Sequence, residues 1–524
     1  MATEKNRAGT PQASAFNQPP ALRAINFFTR DRILSEAVGR SDASWAEVQL
    51  TEYGALAGGE MQELGFLAND NPPRFRTHDV YGERIDQVDF HPAYDRLMSL
   101  AFEHGLHNLP WKHPQSGAHV ARAALNYLHH QAESGTGCPV TMTFAAMPVL
   151  AHAERVSQQW KPLLLGNEYD GRNVPVSEKR AASLGMAMTE KQGGSDVRAN
   201  QTTARALDRE GGGQPYELTG HKWFCSAPMS DAFLVLAQAP QGLSCFLLPR
   251  WRPDGRRNGL YIQQLKNKLG NRANASAEVE FKCAYAEMLG EPGRGIATIL
   301  KMVALTRFDC VVGSAALMRQ AVTQAIHFAR YRAAFGQVLV DQPLMKNVLA
   351  DLALESEAAL ALGLRLATAL DEAASQPTEK AWLRLATPVA KYWVCKRAPG
   401  HVYEAMECLG GQGYVENTVL PRLYREAPVN SIWEGSGNIQ CLDVLRVIQE
   451  SPEALTALLD ELKRAQGANR FYDAFLQQVE FLLVRLPQET GLARQLVEKL
   501  ALALQAALLL QQDNDLIGDA FCQA

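Results

Sequence analysis

The spacing of apolar residues changes twice along this chain, and that double switch constrains the fold more than any single motif. From 31 to 167 apolar residues return every three to four positions, as in 93–104 and 118–134, which is the period of helices burying one face. This first unit is expected to be all-α. Near Ser183 the texture becomes Gly-rich with β-branched and aromatic alternation. Strands are expected at 185–189, 216–225, 233–237, 244–248, 260–265 and 277–281, parted by turns such as Gly211-Gly212-Gly213-Gln214-Pro215. No helix of useful length separates them, so they imply an antiparallel sheet. From about Pro292 the helical period resumes in 296–307, 311–334, 343–374 and 379–409, then after Glu434 and again from 452 to the end. The class is α+β: an N-terminal helical domain (1–182), a central antiparallel β domain (183–291), a C-terminal helical bundle (292–447) and an additional helical tail (448–524).

A chain of 524 residues, 47% apolar, can bury several cores, which fits this division. The nine cysteines are scattered and never form a C-x-x-C pair, which favours reduced thiols in a cytoplasmic protein over a disulfide framework or a zinc site. Residues 1–18 are polar and Pro/Ala-rich, a loose arm without the basic start and apolar core of a secretory signal. The apolar run 500–510 is about half a membrane span and reads as a buried helix. His104, His107, His113, His129 and His130 cluster in the first unit, but no carboxylate or cysteine completes a ligand set at metal-binding spacing; packed or solvent-facing histidines are the better reading. A net charge of −4 gives no global reason to expect a polyanionic partner.

Four stretches can carry chemistry. Met188-Thr189-Glu190-Lys191-Gln192-Gly193-Gly194-Ser195-Asp196-Val197 runs a strand into a glycine turn, where close backbone approach and the hydroxyls of Thr189 and Ser195 suit a polar ring edge and a phosphate; a plain hairpin loop would look similar. Gly220-His221-Lys222-Trp223-Phe224-Cys225-Ser226 offers aromatic residues and a hydroxyl to a flat ring, or is simply an amphipathic core strand. Leu409-Gly410-Gly411-Gln412-Gly413-Tyr414 follows a helix and lacks the third glycine of a G-x-G-x-x-G pattern, which disfavours a Rossmann fingerprint and leaves a phosphate contact or a helix C-cap turn. Last, Asn430-Ser431-Ile432-Trp433-Glu434-Gly435-Ser436-Gly437-Asn438 sets one carboxylate between an aromatic run and a flexible turn. Glu434 is there a candidate base, or an acid near the positive end of a helix capped by Ser436 or Asn438. The Gly435-Ser436-Gly437 spacing misses that of a serine-hydrolase elbow.

Taken in order with Lys268-Leu269-Gly270-Asn271-Arg272, Leu289-Gly290-Glu291-Pro292-Gly293-Arg294-Gly295 and Arg332-Ala333-Ala334-Phe335-Gly336, these stretches resemble the acyl-CoA dehydrogenase flavoprotein family over about 185–447. Further matches outside those motifs mark one branch of it, tied to the response to DNA alkylation: Phe16-Asn17-Gln18-Pro19, Asn71-Pro72-Pro73, His107-Asn108-Leu109, the run from Cys138 to Ala146, and Thr306-Arg307-Phe308-Asp309-Cys310.

The resemblance implies FAD between the sheet and the helical bundle. By it, Met188 and Thr189 meet the flavin pyrimidine edge, Gly194 and Ser195 the pyrophosphate, and Phe224, Cys225 and Ser226 the ring face, with Ser226 near the reactive N5. Arg332, Phe335, Gly410 and Gly411 would complete the nucleotide site of a neighbouring subunit in a homotetramer built as a dimer of dimers. Ile432 and Trp433 would flank the flavin, and Ser436 and Asn438 the adenosine half. Glu434 falls on the position of the catalytic base for α,β-dehydrogenation of an acyl-CoA. Three residues before Arg307 stands Ala304, where members that bind coenzyme A well carry aspartate, so coenzyme A recognition is expected to be weakened. The branch implies double-stranded DNA binding through the tail. From Val447 onward, however, the tail holds six Lys and Arg against eleven Asp and Glu, and phosphate contacts need clustered positive charge. The chain also ends soon after Phe521-Cys522, earlier than the resemblance leads one to expect, so part of the usual tail is expected to be missing.

Overall fold

A computed structural model describes residues 16–485, 489–512 and 515–524. Most of the N-terminal arm and Asp513 of the tail lie outside the described residues.

In the central unit seven strands pair into one sheet whose pairings run in a closed circuit. Ala232–Ala239 pairs antiparallel with Gly242–Pro249, which pairs with the far end of Ser276–Leu289. That strand pairs with Pro215–Ser226, which pairs with Thr203–Ala206, and a bridge from Thr203 to Gln238 closes the loop. Leu260–Leu265 adds to Ser276–Leu289, and Leu184–Ala187 runs parallel to Ala232–Ala239. The expected all-antiparallel sheet is therefore mixed. It also gains Thr203–Ala206, whose four residues carry too little alternation to read as a strand. Phe233, Val235, Cys225, Phe246, Ile262 and Phe281 fill the inside of the circuit. Leu234, Leu236, Cys245 and Leu247 face outward onto helices Gly137–Leu150 and Glu154–Leu164. Both faces of Ala232–Ala239 are covered, which is why it reads as a nearly continuous apolar run.

The bundle is built on three long helices, Gly295–Tyr331, Pro343–Glu372 and Pro377–Glu407. Proline opens the second and third, where its fixed φ suits the first turn and its missing N–H costs nothing. The first is continuous over 37 residues rather than two pieces, because Phe308, Cys310, Val311 and Val312 keep it buried through the expected gap. The tail helices Pro452–Lys463, Arg470–Arg485 and Ala493–Leu510 share the bundle's apolar core, so the run 500–510 is packed against protein. Among the described residues no helix is long and apolar enough to cross a membrane.

The N-terminal unit is helical except for a hairpin, Arg74–His78 with Arg84–Asp89. Its strands carry polar or charged residues at most positions, so their alternation does not show; the turn is set by Asp79, whose Oδ1 accepts from Tyr81 N and Glu83 N at 2.9 Å each. His107, His129 and His130 are buried and bonded to protein groups, His129 between the Tyr53 and Thr136 hydroxyls at 2.8 Å each. All nine cysteines are free thiols.

Candidate active site

Glu434 sits in the bend between the short turn Ala427–Ser431 and the helix Gly437–Glu450, with φ at +57°. A left-handed backbone at a non-glycine residue is uncommon and persists only where surroundings over-determine it. Here three consecutive carbonyls turn inward and each is met by a side chain. Lys391 Nζ donates to Trp433 O at 2.8 Å and to Gly435 O at 2.6 Å. Arg307 Nε donates to Glu434 O at 2.9 Å, and Gln440 Nε2 donates to Glu434 O at 3.1 Å and Gly435 O at 2.9 Å. Gly435 follows at φ +98°; a methyl group on it would lie 2.6 Å from Gln440 Nε2.

The half-buried Glu434 carboxyl accepts from the Thr306 hydroxyl at 2.6 Å. Burial lifts its pKa above the ordinary carboxylate range, opposed by the Thr306 hydroxyl and by the charges of Lys391 and Arg307. Arg307 is itself fixed by Asp443, 2.7 Å away, which also binds Arg384 at 2.7 Å. Burial would raise the Asp443 carboxyl, but the bonds and charges of Arg384 and Arg307 hold it at about 2.

A second group of candidate residues lies at the end of the strand Pro215–Ser226. Phe224 is exposed and Ser226 half-buried, while Cys225 between them is sealed inside the sheet circuit, so only its backbone can reach a ligand. Ser226 Oγ lies 3.4 Å from Ser276 Oγ, which Lys268 Nζ binds at 3.1 Å. The Cys138 thiol joins the two sides. Burial pushes it up to about 12, Lys268 opposes, Glu434 adds to the rise, and the nearby Ser226 and Asn274 oppose. Glu434 of the bundle and Ser226 of the sheet thus act on one buried thiol.

Thr189 is tied to this strand through Trp223 N, which donates to its carbonyl at 2.8 Å. Gly194 folds back so closely that a methyl group on it would lie 2.4 Å from Thr189 Oγ1; Ser195 beyond it is exposed. The turn is anchored by the buried Glu190, which accepts from Lys222 Nζ at 2.8 Å, Gln201 N at 2.6 Å and Thr202 Oγ1 at 2.6 Å. Met188 is half-buried beside it.

Arg332, Gly410 and Gly411 lie elsewhere. They line a cavity of about 480 Å³ to which no residue of the sheet contributes. Both glycines border open space. Arg332 Nη1 is oriented by Asn17 O at 2.9 Å, and Phe335 stands fully exposed on the hairpin turn between Ala334 and Gln337. Ile432 is exposed and Trp433 donates to Asn430 Oδ1 at 3.1 Å. Ser436 takes the N-cap position of Gly437–Glu450 without a side-chain cap bond, and Asn438 accepts from Arg494 of the tail at 2.8 Å.

Sequence reasoning named Thr306 and Lys268 only as parts of matching runs, without a role, and passed over Lys391, Gln440 and Asp443. The one available signal was Lys391, a lone cation in the apolar run Pro388-Val389-Ala390-Lys391-Tyr392-Trp393-Val394.

Three family descriptions match the chain in sequence: "Adaptive response protein AidB N-terminal domain" over 17–171, "Acyl-CoA dehydrogenase, middle domain" over 185–284 and "Acyl-CoA dehydrogenase, C-terminal domain" over 293–449. AidB of Escherichia coli K12 is 47% identical over 513 residues, spanning 97% of this chain and 94% of that protein. The chain belongs to the acyl-CoA dehydrogenase family, in its AidB branch. Among solved structures, ACDH-11 of Caenorhabditis elegans in complex with C11-CoA matches with a TM-score of 0.88 at 28% identity, covering 99% of this chain and 93% of that one. An acyl-CoA dehydrogenase of Bacillus anthracis complexed with FAD shares the fold, with a TM-score of 0.67 at 20% identity over 82% of this chain and 80% of that one.

FAD is the cofactor of this family, and the residues present fit it. The exposed Phe224 and the half-buried Ser226 give a flat ring one face and one hydroxyl. Gly410 and Gly411 border open space beside a guanidinium, the arrangement a phosphate requires.

Proposed function

We propose that this acyl-CoA dehydrogenase family member catalyses the α,β-dehydrogenation of a short or branched acyl-CoA, with Glu434 as the base. The observation that supports this reading is one carboxyl, lifted by burial and oriented by Thr306, that acts on the same buried Cys138 thiol as Ser226 at the end of the sheet. A base must hold its proton acceptor close to the reacting carbon and have a pKa near the working pH; burial raises the carboxyl toward that range. Bound FAD supplies the acceptor for the hydride leaving the β carbon. Thr189, Ser195, Phe224 and Ser226 would hold it on the sheet side. Arg332, Phe335, Gly410 and Gly411 would reach the nucleotide of a neighbouring subunit in a cytoplasmic homotetramer. Ile432, Trp433, Ser436 and Asn438 would lie along it on the bundle side. Glu434 takes the α proton; the buried Arg307, Lys391 and Gln440 keep it in place.

The test is anaerobic mixing of the flavin-loaded protein with a panel of short and branched acyl-CoAs. Wild type bleaches the visible flavin band with at least one of them, and Glu434→Gln slows bleaching at least ~100-fold. No bleaching by wild type with any member of the panel overturns the reading.

A second reading rests on the likeness to AidB, the adaptive response protein: a flavoprotein that binds double-stranded DNA and protects it from alkylating agents, with dehydrogenase activity vestigial. Several tail cations are already engaged, Arg464 by Glu461 at 3.0 Å and Arg494 by Asn438. DNA affinity that falls steeply with added salt supports this second reading; affinity that is absent or flat with salt removes it.

A further inference from the structure

We infer that Lys391 is the positioning residue of this site, a buried ammonium that clamps the bend on both sides of Glu434 and, together with Arg307, sets the charge its carboxylate feels. The inference rests on the reading of Glu434 as the base. Lys391 is 1% exposed, on the helix Pro377–Glu407, and it spends two of its protons on Trp433 O and Gly435 O, the carbonyls immediately before and after the base. Those bonds pull the flanking peptides toward the helix and leave the residue between them in its left-handed conformation.

Bonding alone does not call for a lysine. Gln440, a neutral side chain, bridges two carbonyls of the same bend. The charge is what distinguishes Lys391. Among the described residues no carboxylate lies within 4.0 Å of it, whereas the neighbouring Arg307 is ion-paired with Asp443, a carboxylate it shares with Arg384 and Arg446. A buried cation without an ion-pair partner is costly, so its retention calls for a use. The charged and titratable groups that face Glu434 are Arg307 and Cys310 on the helix Gly295–Tyr331, Lys391, and Cys138 on Gly137–Leu150. The two thiols are neutral, held up by burial. Lys391 and Arg307 both favour the ionised form of the carboxyl, the form that accepts a proton, and of the two charges that of Lys391 acts more strongly. Burial pushes the other way, and the balance decides where the base titrates.

The experiment is pH-difference infrared spectroscopy on the full-length protein as purified. The carboxylic-acid band absent from Glu434→Gln identifies the base and gives its midpoint. Lys391→Met is expected to raise that midpoint by about one pH unit. Lys391→Gln, which keeps a neutral donor, is expected to raise it likewise and serves if the methionine variant does not fold. Gln440→Leu removes neutral donors from the same bend and is expected to leave the midpoint near its wild-type value. An unmoved midpoint in the folded Lys391 variants overturns the inference, and so does an equal rise in Gln440→Leu. Acyl-CoA bleaching is recorded in parallel. A midpoint that rises while wild type bleaches with no substrate sustains the role of Lys391 and removes the dehydrogenase reading. A midpoint that stays while wild type bleaches does the reverse.

Discussion

The hydroxyl of Thr306 donates a 2.6 Å hydrogen bond to Oε2 of Glu434, across 128 residues of chain. A bond to an ionised acceptor is worth roughly 1.5–3 kcal/mol, and it favours the charged carboxylate. Thr306→Val therefore moves the Glu434 carboxyl further up. The pH profile of flavin bleaching by acyl-CoA is expected to shift to higher pH by about one unit, with the rate recovering on the alkaline side. A profile that falls in height without moving along the pH axis would contradict the assignment.

Glu426 gives a stability test. Burial, and secondarily the neighbouring Glu133, push its carboxyl from 4.5 to about 7. Its Oε2 accepts from Asn271 N at 2.8 Å, a bond an amide oxygen can also accept. Because the folded pKa is raised, the native state binds more protons than the unfolded state between about 4.5 and about 7. Stability accordingly falls as pH rises through that window, and the full cost persists above it. Glu426→Gln removes that cost. Thermal unfolding should show the variant more stable than wild type at pH 8, by at most about 3 kcal/mol, with the gain gone near pH 4.5. A gain of equal size at both values would mean that ionisation is not its source.

The turn at 189–195 hangs on the pair of Lys222 with Glu190, both fully buried. Burial would raise the Glu190 carboxyl, yet the Gln201 amide and Lys222 hold it at about 2. Lys222→Met strands that charge and should cost ~3–5 kcal/mol, read as a lower denaturant midpoint, together with weaker flavin retention. Adding Glu190→Gln to the same chain should restore part of the stability, since the amide carries no charge to strand.

Phe335 is fully exposed and sits at φ +54° beside Gly336 at +78°, a turn that Asn or Gly occupies more easily. Phe335→Asn should leave the thermal stability of the separate subunit equal or slightly higher, by up to ~1 kcal/mol. Light scattering and the flavin-to-protein ratio should both fall if the ring packs on a neighbouring subunit's cofactor. An unchanged ratio with unchanged mass would remove that role from the residue.

How much of this was legible in the letters depends on the range of the interaction. Periodicity is local, so the α, β, α order could be read from it, and Leu260–Leu265 stands at the expected positions. The parallel strand Leu184–Ala187 and the circuit closed by Thr203 depend on partners far along the chain, and nothing in a four-residue stretch announces them. The same holds at the site. Glu434 stood out because a lone acid beside Trp433 and Gly435 is a local pattern, helped by the family resemblance. Thr306, Lys391 and Gln440 look like ordinary helical residues until folding brings three inward-turned carbonyls and one carboxyl up against them. Cys225 shows the opposite limit: its motif placed it correctly on the strand, but which face it occupies was decided by what the other strands enclose.

The helix Gly295–Tyr331 carries Thr306 and Arg307 in its first half and delivers Arg332 at its end. Inserting or deleting one residue between 309 and 331 would turn Arg332 by about 100° relative to Thr306 and shift it by about 1.5 Å. Point changes along this stretch alter packing, whereas a change of length alters aim. The number of residues in that rod is therefore a gauge, and drift in length is much safer in the surface turns than here.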